Sequence, residues 1–136
     1  GVGYFQLTAR KGRRCSAAVA FLNPVRKREN LTILTRAQAS RITFDGTRAT
    51  GVAYRDRAGV EHVVKANAEV ILSSGAIGSP HLMMLSGLGE AAHLQEHGIE
   101  VLRDMPGVGR NMQDHLQARL VFKCNEPTLN DEVRSL

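Results

Sequence analysis

Two histidines and a glutamate in the second half of the chain have a spacing that can bind a metal ion. Residues 93–97 read His-Leu-Gln-Glu-His, which matches the inverted HxxEH motif of zinc peptidases, with both imidazoles on one helix face. A third ligand would have to come from the 39 residues after His97, and Gly98 ends the predicted helix at once. Imidazoles also favour the negative end of a helix dipole. We therefore interpret the pair as structural and predict no metal site.

Two other patterns suggest chemistry less specifically. Gly107-Val108-Gly109 has two glycines of a dinucleotide fingerprint, but it lacks the third and follows no convincing strand, which indicates a loop. His115 follows Asp114, and such a pair can exchange protons. No serine or cysteine in a GxSxG elbow accompanies it, so hydrolysis has no support in the sequence. We interpret His115 as a structural residue.

A run of small residues from Gly75 to Gly89 carries the most specific pattern. It follows an apolar run and reads Gly-Ala-Ile-Gly-Ser-Pro-His-Leu-Met-Met-Leu-Ser-Gly-Leu-Gly. Glycines let a backbone approach a ligand closely, and the free amides where a helix begins attract anions. Amides near residues 74–79 are therefore candidate ligand contacts, and tight packing of the small residues is the alternative.

The charge of the chain is unevenly distributed. Residues 1–57 hold 12 Lys and Arg against 3 Asp and Glu, whereas residues 58–136 hold 6 against 10. Basic clusters at 10–14 and 26–28 suit phosphate contacts, so a basic nucleic-acid-binding module is the alternative function. Aromatic residues make up only 4% of the chain and are not interleaved with either cluster, which leaves little to stack on bases. We prefer a solvated basic face and expect no nucleic-acid partner.

The composition is that of a folded globular protein, with 43% hydrophobic and 23% charged residues. Cys15 and Cys124 form no CxxC pair, so neither a zinc ribbon nor a disulfide framework is indicated. No apolar run is long enough for a transmembrane helix, and the start at Gly1 has no signal peptide and no initiator methionine. We expect a piece of a larger, cytoplasmic protein, whether free or at a membrane surface.

The elements that would position these residues alternate between helix and strand. A short helix is predicted over 16–22 and a β-branched strand over 31–34. An antiparallel meander is predicted over about 39–66, with a hairpin turn at Asp45-Gly46. Residues 70–73 begin with a continuous apolar run, which predicts a strand buried on both faces.

Two helices and a loop are predicted after that strand. Ser79 is expected to be the N-cap, and Pro80 the first residue, of a helix that ends near Gly87. A second helix is predicted over about 90–97, with Gly98 as a left-handed cap. Residues 104–115 are rich in glycine and turn formers.

The predicted strands make an incomplete α/β sheet. Residues 31–34 and 70–73 both have the pattern of short buried strands, so we expect them to be parallel neighbours, with the meander inserted between them in sequence. The edges left by these strands need partners.

With its flanks, the run from Gly75 to Gly89 resembles the second signature of the glucose-methanol-choline (GMC) oxidoreductases. The small residues, the Ser-Pro pair, the paired apolar positions and the Ser-Gly-Leu-Gly ending all match. The resemblance covers nearly the whole chain and is nearest to bacterial alcohol and choline dehydrogenases. The flanking segments that agree are residues 13–16, 20–24, 30–34 and 106–115.

The resemblance implies an α/β fold, namely part of a Rossmann-like FAD-binding domain with an inserted antiparallel β-meander. FAD is the implied cofactor, and the implied reaction oxidises the CH–OH group of choline or another primary alcohol by hydride transfer to flavin. The adenine contact falls at Ala39, where the family commonly has a valine. Because that contact uses main-chain groups, alanine affects packing rather than binding. Ser74, Gly75 and Ala76 would lie close by on the ADP side.

The resemblance also implies that residues 1–136 are an internal segment of that domain, with a signature strand and helix at 69–89. The glycine loop for the pyrophosphate and the catalytic histidine would lie outside it. We therefore predict no catalytic residue in this chain and no activity of the chain alone. The expected partners are the remainder of the parent chain, a small alcohol substrate and an electron acceptor.

Overall fold

The computed structural model describes residues 6–118, 120–123 and 125–127, so Cys124 lies outside the described residues. The chain divides into two compact units, Gly1–Ile71 and Leu72–Leu136. Helices and strands are both present, which agrees with the α/β class at the level of secondary-structure content.

The first unit begins with a short hairpin. Strand β1 (Ala9–Arg10) pairs antiparallel with β2 (Arg13–Arg14), and both turn residues between them have positive φ. The short helix predicted over 16–22 is present as a π-helical turn at Ala18–Leu22. It continues as a 3-10 turn at Asn23–Val25, because the proline there occupies an initial position at which its missing N–H is not needed.

The predicted meander is present as a three-stranded antiparallel sheet. Its strands are β3 (Gln38–Asp45), β4 (Arg48–Arg55) and β5 (Glu61–Lys65), in the spatial order β3-β4-β5. Asp45 pairs with Arg48, so the two-residue hairpin loop consists of Gly46 and Thr47. The hairpin is present where it was predicted, but its loop lies one residue after the Asp45-Gly46 pair.

The centre of this sheet is its best-packed part. Ala53 is 0% and Ile42 7% exposed. A Cβ atom on Gly51 would stand 2.2 Å from the carbonyl oxygen of Val64, so the close approach of β4 and β5 requires glycine there. Strand β5 is exposed along its whole length, and it forms an open edge of the described sheet.

The two runs predicted as parallel strands are not strands. Residues 31–34 and 70–73 have no ladder pairing in the described part of the chain, and Ile71 is 75% exposed. A β-branched run favours an extended backbone, but a strand also needs hydrogen bonds from a neighbouring strand. The prediction of neighbouring parallel strands, and of a buried strand at the start of the 69–89 signature, is therefore wrong for this structure.

The second unit contains helix α1 (Gly75–Leu85), strand β6 (Leu88–Gly89), helix α2 (Ala91–Glu96) and strand β7 (Arg103–Asp104). Strands β6 and β7 form a short parallel pair. The core is built on Leu94, 1% exposed, and Leu82, 7% exposed.

The end of α2 agrees with the sequence. Gly98 has φ 68, which confirms it as the left-handed cap predicted after the second helix. Within the described residues, no helix has the length and apolar character needed to cross a membrane.

Candidate functional site

The predicted ligand-contacting residues of the second unit, Ser74, Gly75 and Ala76, lie together where α1 begins. Ser74 is the N-cap and Gly75 the first helical residue, and all three residues are exposed. Gly75 has φ 82, in the left-handed region that a side chain disfavours. No atom lies within 4 Å of the position that a Cβ on Gly75 would take. The backbone turn into the helix, not crowding, therefore requires glycine.

The prediction that Ser79 and Pro80 start this helix is wrong, because both lie inside α1. The Ser79 hydroxyl nevertheless accepts a hydrogen bond from the N–H of Ser74 at 3.0 Å. This contact reaches back to the N-cap residue, as the glutamate of a capping box does. The sequence thus identified a capping side chain but assigned it the wrong position, because Ser-Pro is common where helices begin.

Pro80 changes the hydrogen bonding of the first turns. Proline has no N–H, so the carbonyl oxygen of Ala76, four residues earlier, receives no helical hydrogen bond from position 80. The first N–H groups of any helix also lack intrahelical partners. The exposed start of α1 therefore offers main-chain N–H donors to a polar ligand, apart from the N–H of Ser74, which donates to Ser79.

A cleft adjoins this end of α1. Its volume is about 620 Å³, which is within the range of small-molecule sites. One wall is α1 and the other is a loop that contacts it, since a Cβ on Gly109 would stand 3.5 Å from the Met84 methyl carbon. The residues that line the cleft are Ala76, Ile77, Pro80, His81, Met84 and residues 109–113.

Two polar contacts connect residues 104–110 to the start of helix α2 within the second unit. Arg110 forms an ion pair with Glu90, the N-cap residue of α2. The Asp104 carboxylate accepts a hydrogen bond from the N–H of Ala91 at 2.9 Å, so it caps α2 from outside the helix. The sequence analysis missed both contacts. They join residues 20 and 13 positions apart, a separation at which no local pattern reports a contact.

The fourth predicted residue, Ala39, belongs to the first unit. It lies on β3, opposite Tyr54, beside a register shift between positions 39 and 41. The hydroxyl of the intervening Ser40 donates to the carbonyl oxygen of Ala53 at 3.2 Å. Ala39 is exposed, and β3 is an edge strand of the described sheet, which presents unpaired main-chain groups.

The structure therefore brings together three of the four predicted residues, namely Ser74, Gly75 and Ala76. The proximity of Ala39 to them stays a prediction, because it belongs to the other unit.

Asp56, an acidic residue with a lowered pKa, lies at the end of the sheet that also holds Ala39. The hydrogen bond with His62, at 2.8 Å, is the main cause that lowers the pKa of Asp56. The carboxylate also accepts from the N–H groups of Ala58 and Val60 at 2.9 and 3.0 Å, and the His62 ring stacks on Tyr54. These contacts stabilise the turn between β4 and β5, and we assign them a structural role.

The contacts of His93, His97 and His115, which the sequence analysis considered as candidate metal ligands or proton-transfer residues, are local. The rings of His93 and His97 meet edge-on with centroids 4.7 Å apart. In the described ranges, no three His, Cys, Asp or Glu side chains converge on a possible metal position. The Asp114 carboxylate accepts from the main-chain N–H of His115 at 2.7 Å, a contact between sequence neighbours.

The sequence of this chain is similar to those of known oxidoreductases. The family model described as GMC oxidoreductase matches residues 1–117. An oxygen-dependent choline dehydrogenase of Staphylococcus haemolyticus is 48% identical over 127 residues, which are 93% of this chain and 22% of that protein. An alcohol dehydrogenase [acceptor] of Pseudomonas putida is 46% identical over 129 residues, 94% of this chain and 23% of its own length.

A solved structure agrees with these matches. An FAD-dependent oxidoreductase from Chaetomium thermophilum superposes with a TM-score of 0.59 at 38% identity, over 62% of this chain and 15% of that one. The chain therefore spans less than a quarter of the length of these relatives.

Proposed function

This chain belongs to the GMC oxidoreductase family, and we propose that it forms part of the FAD site of an enzyme that oxidises the CH–OH group of an alcohol. The observation that carries the proposal is the exposed start of α1, where the left-handed Gly75 turns the chain into the helix and the N–H groups of the first turn lack intrahelical partners. The family match covers both this segment and β3.

The residues present fit the cofactor in chemical terms. The adenine edge of FAD needs a main-chain donor and acceptor, and Ala39 on an exposed edge strand supplies both types of group. The start of α1 supplies amides suited to the anionic part of an ADP group. Because both contacts use the backbone, they depend on its conformation rather than on side-chain identity. Bound FAD supplies the ring that accepts a hydride from the alcohol carbon.

The role of this chain in such an enzyme is binding and orientation. Gly75 sets the direction in which the chain enters α1, and the bond from Ser74 to Ser79 holds that turn. The cleft between α1 and residues 109–113 is next to the same turn. We assign no proton transfer to this chain. The residues that deprotonate the alcohol are proposed to lie elsewhere in the parent protein.

The finer fold is also a proposal. We propose that the segment is part of a Rossmann-like domain. The mixed helix and strand content, together with the match of the GMC oxidoreductase family model to residues 1–117, supports this.

The substrate class follows from the relatives. A choline dehydrogenase and an alcohol dehydrogenase are both 46–48% identical to this chain, which supports choline or another primary alcohol as substrate. The proposed partners are the remainder of the parent chain, this alcohol and an electron acceptor. We propose no nucleic-acid partner, since aromatic residues are only 4% of the chain and stacking on bases needs them.

The test is to purify the 136-residue chain, add FAD, and follow flavin fluorescence together with dye reduction by short-chain alcohols and choline. We expect weak flavin binding and no dye reduction, because the chain supplies only the adenine side of the cofactor site. The longer parent enzyme is the positive control, and it should retain FAD and reduce the dye. Tight, stoichiometric flavin retention by the chain, or dye reduction that depends on alcohol, would contradict the proposal that it is only part of a site.

A further inference from the structure

A cleft of the first unit lies outside the proposed flavin contacts. It has a volume of about 750 Å³ and is formed by the β1–β2 hairpin and the helical turn that follows. Its basic side chains are Arg13 and Arg14, and its apolar wall includes Leu7 and Phe21. These two apolar side chains are 81% and 76% exposed, so an apolar ligand group would gain by covering them.

The positive charge of the hairpin is not balanced by its neighbours. Arg10 and Arg13 face each other across the two strands, and like charges in directly opposed positions repel. Residues 1–28 contain seven Lys and Arg and no Asp or Glu. In the described part of the chain, the cations of this hairpin take part in no salt bridge. A bound anion would relieve this repulsion.

The turn keeps these charges close together. Lys11 and Gly12 have φ 52 and 72, as in a two-residue turn with both central residues left-handed. The N–H of Cys15 donates to the carbonyl oxygen of Thr8 at 2.9 Å, which closes the open end of the hairpin. The four basic residues at 10, 11, 13 and 14 are therefore held on one short, closed loop.

We propose that this cleft binds a small organic phosphate, with the phosphate on the guanidinium group of Arg13 and the apolar part against Leu7 and Phe21. A guanidinium group binds two oxygens of a phosphate or of a carboxylate equally well, so the preference for phosphate rests on its second negative charge beside four basic residues. A lipid headgroup presents the same chemistry. The concave shape and the volume of about 750 Å³ fit a free small molecule rather than a membrane surface.

The test measures the affinity of the whole chain for hexyl phosphate and for inorganic phosphate by isothermal titration calorimetry. We expect hexyl phosphate to bind at least about tenfold more tightly, because burial of its alkyl chain against Leu7 and Phe21 adds to the phosphate contacts. Phe21→Ala should remove most of this preference and leave the affinity for inorganic phosphate unchanged. Far-UV circular dichroism checks that each variant keeps the fold.

A charge-matched pair of variants separates a defined site from diffuse attraction. Arg13→Gln should weaken hexyl phosphate binding about tenfold, the loss expected for one charge-assisted hydrogen bond. Arg57→Gln removes the same charge from the exposed turn after β4, and it should change the affinity less than about twofold. Equal losses in the two variants would overturn the proposal.

Two further outcomes overturn it as well. One is the absence of measurable binding of hexyl phosphate. The other is binding to vesicles of equal parts phosphatidylserine and phosphatidylcholine without binding of the soluble ester, which would assign the hairpin to a membrane surface. Binding of the soluble ester that depends on Arg13 and Phe21, with no vesicle binding, supports the proposal.

Discussion

Replacing Gly87 with alanine is expected to destabilise the second unit strongly. Gly87 follows α1 with φ 82, and its carbonyl oxygen accepts hydrogen bonds from the N–H groups of Leu102 and Arg103 at 2.9 and 3.1 Å. A Cβ atom at this position would stand 2.6 Å from the carbonyl oxygen of Glu100. This neighbour is backbone, so it cannot move without disturbing the chain that leads into β7.

The expected loss in the free energy of unfolding is the sum of a backbone term and a steric term. A left-handed φ costs a non-glycine residue about 1–2 kcal/mol, and forcing extra volume into a packed site costs about 1–3 kcal/mol. We therefore expect Gly87→Ala to lower the free energy of unfolding by about 3 kcal/mol, a large part of the roughly 5–15 kcal/mol typical of a domain.

Gly98→Ala is the matched control for this prediction. Gly98 also has a left-handed backbone, with φ 68, but no atom lies within 4 Å of its Cβ position. Gly98→Ala should therefore lower the free energy of unfolding by the backbone term alone, about 1 kcal/mol. Urea unfolding of both variants, followed by far-UV circular dichroism, measures the difference. Equal losses for Gly87→Ala and Gly98→Ala would refute the steric part of the reasoning.

Three further substitutions test single contacts. Ser79→Ala removes the acceptor for the N-cap N–H of α1 and should cost about 1 kcal/mol in urea unfolding, so an unchanged midpoint would count against the contact. Asp104→Ala removes the cap of α2 and should cost about 1 kcal/mol, with faster amide exchange in the first turn of α2 but not in α1. Asp56→Asn tests the lowered pKa of Asp56: its carboxylate stabilises the fold above the ordinary value of 3.8 and loses this effect as the pH falls through the lower folded pKa. The difference in free energy of unfolding between wild type and Asp56→Asn should thus shrink below pH 3.8. Glu69→Gln is the control variant. A difference that does not depend on pH, or the same pH dependence in Glu69→Gln, would contradict the role assigned to the Asp56 carboxylate.

The local elements were predictable because their signals are local. Asp45-Gly46 marks a hairpin, and Gly98 marks a helix end, from a few adjacent residues. The start of α1 was not predictable in the same way. It depends on a positive φ at Gly75, while Ser79 and Pro80 carry the stronger helix-start pattern.

The prediction of two parallel strands was wrong for a different reason. A run such as residues 31–34 has the composition of a strand, but its state depends on a neighbour that lies outside the run itself. The contacts of Asp104 and Arg110 were missed because they connect residues far apart in sequence. Composition and periodicity predict elements, whereas partners across the fold need the structure.

The candidate site was predictable in part from the residues and in part only through the family resemblance. The small residues indicated that amides near 74–79 can meet a ligand. The structure places Ser74, Gly75 and Ala76, all exposed, where α1 begins, and their contact with a ligand stays a prediction. Nothing in the local sequence marks Ala39 as a contact, since alanine on a strand has no distinctive chemistry.

The most direct test of the central claim, that this chain forms the adenine side of an FAD site, is nuclear magnetic resonance of the isotope-labelled chain with added FAD. At cofactor concentrations that reveal weak binding, we predict saturable shifts of the main-chain amides of Ala39, Ser74, Gly75 and Ala76. Unchanged amides at these four positions, or shifts confined to the basic hairpin at Arg13 and Arg14, would contradict the claim.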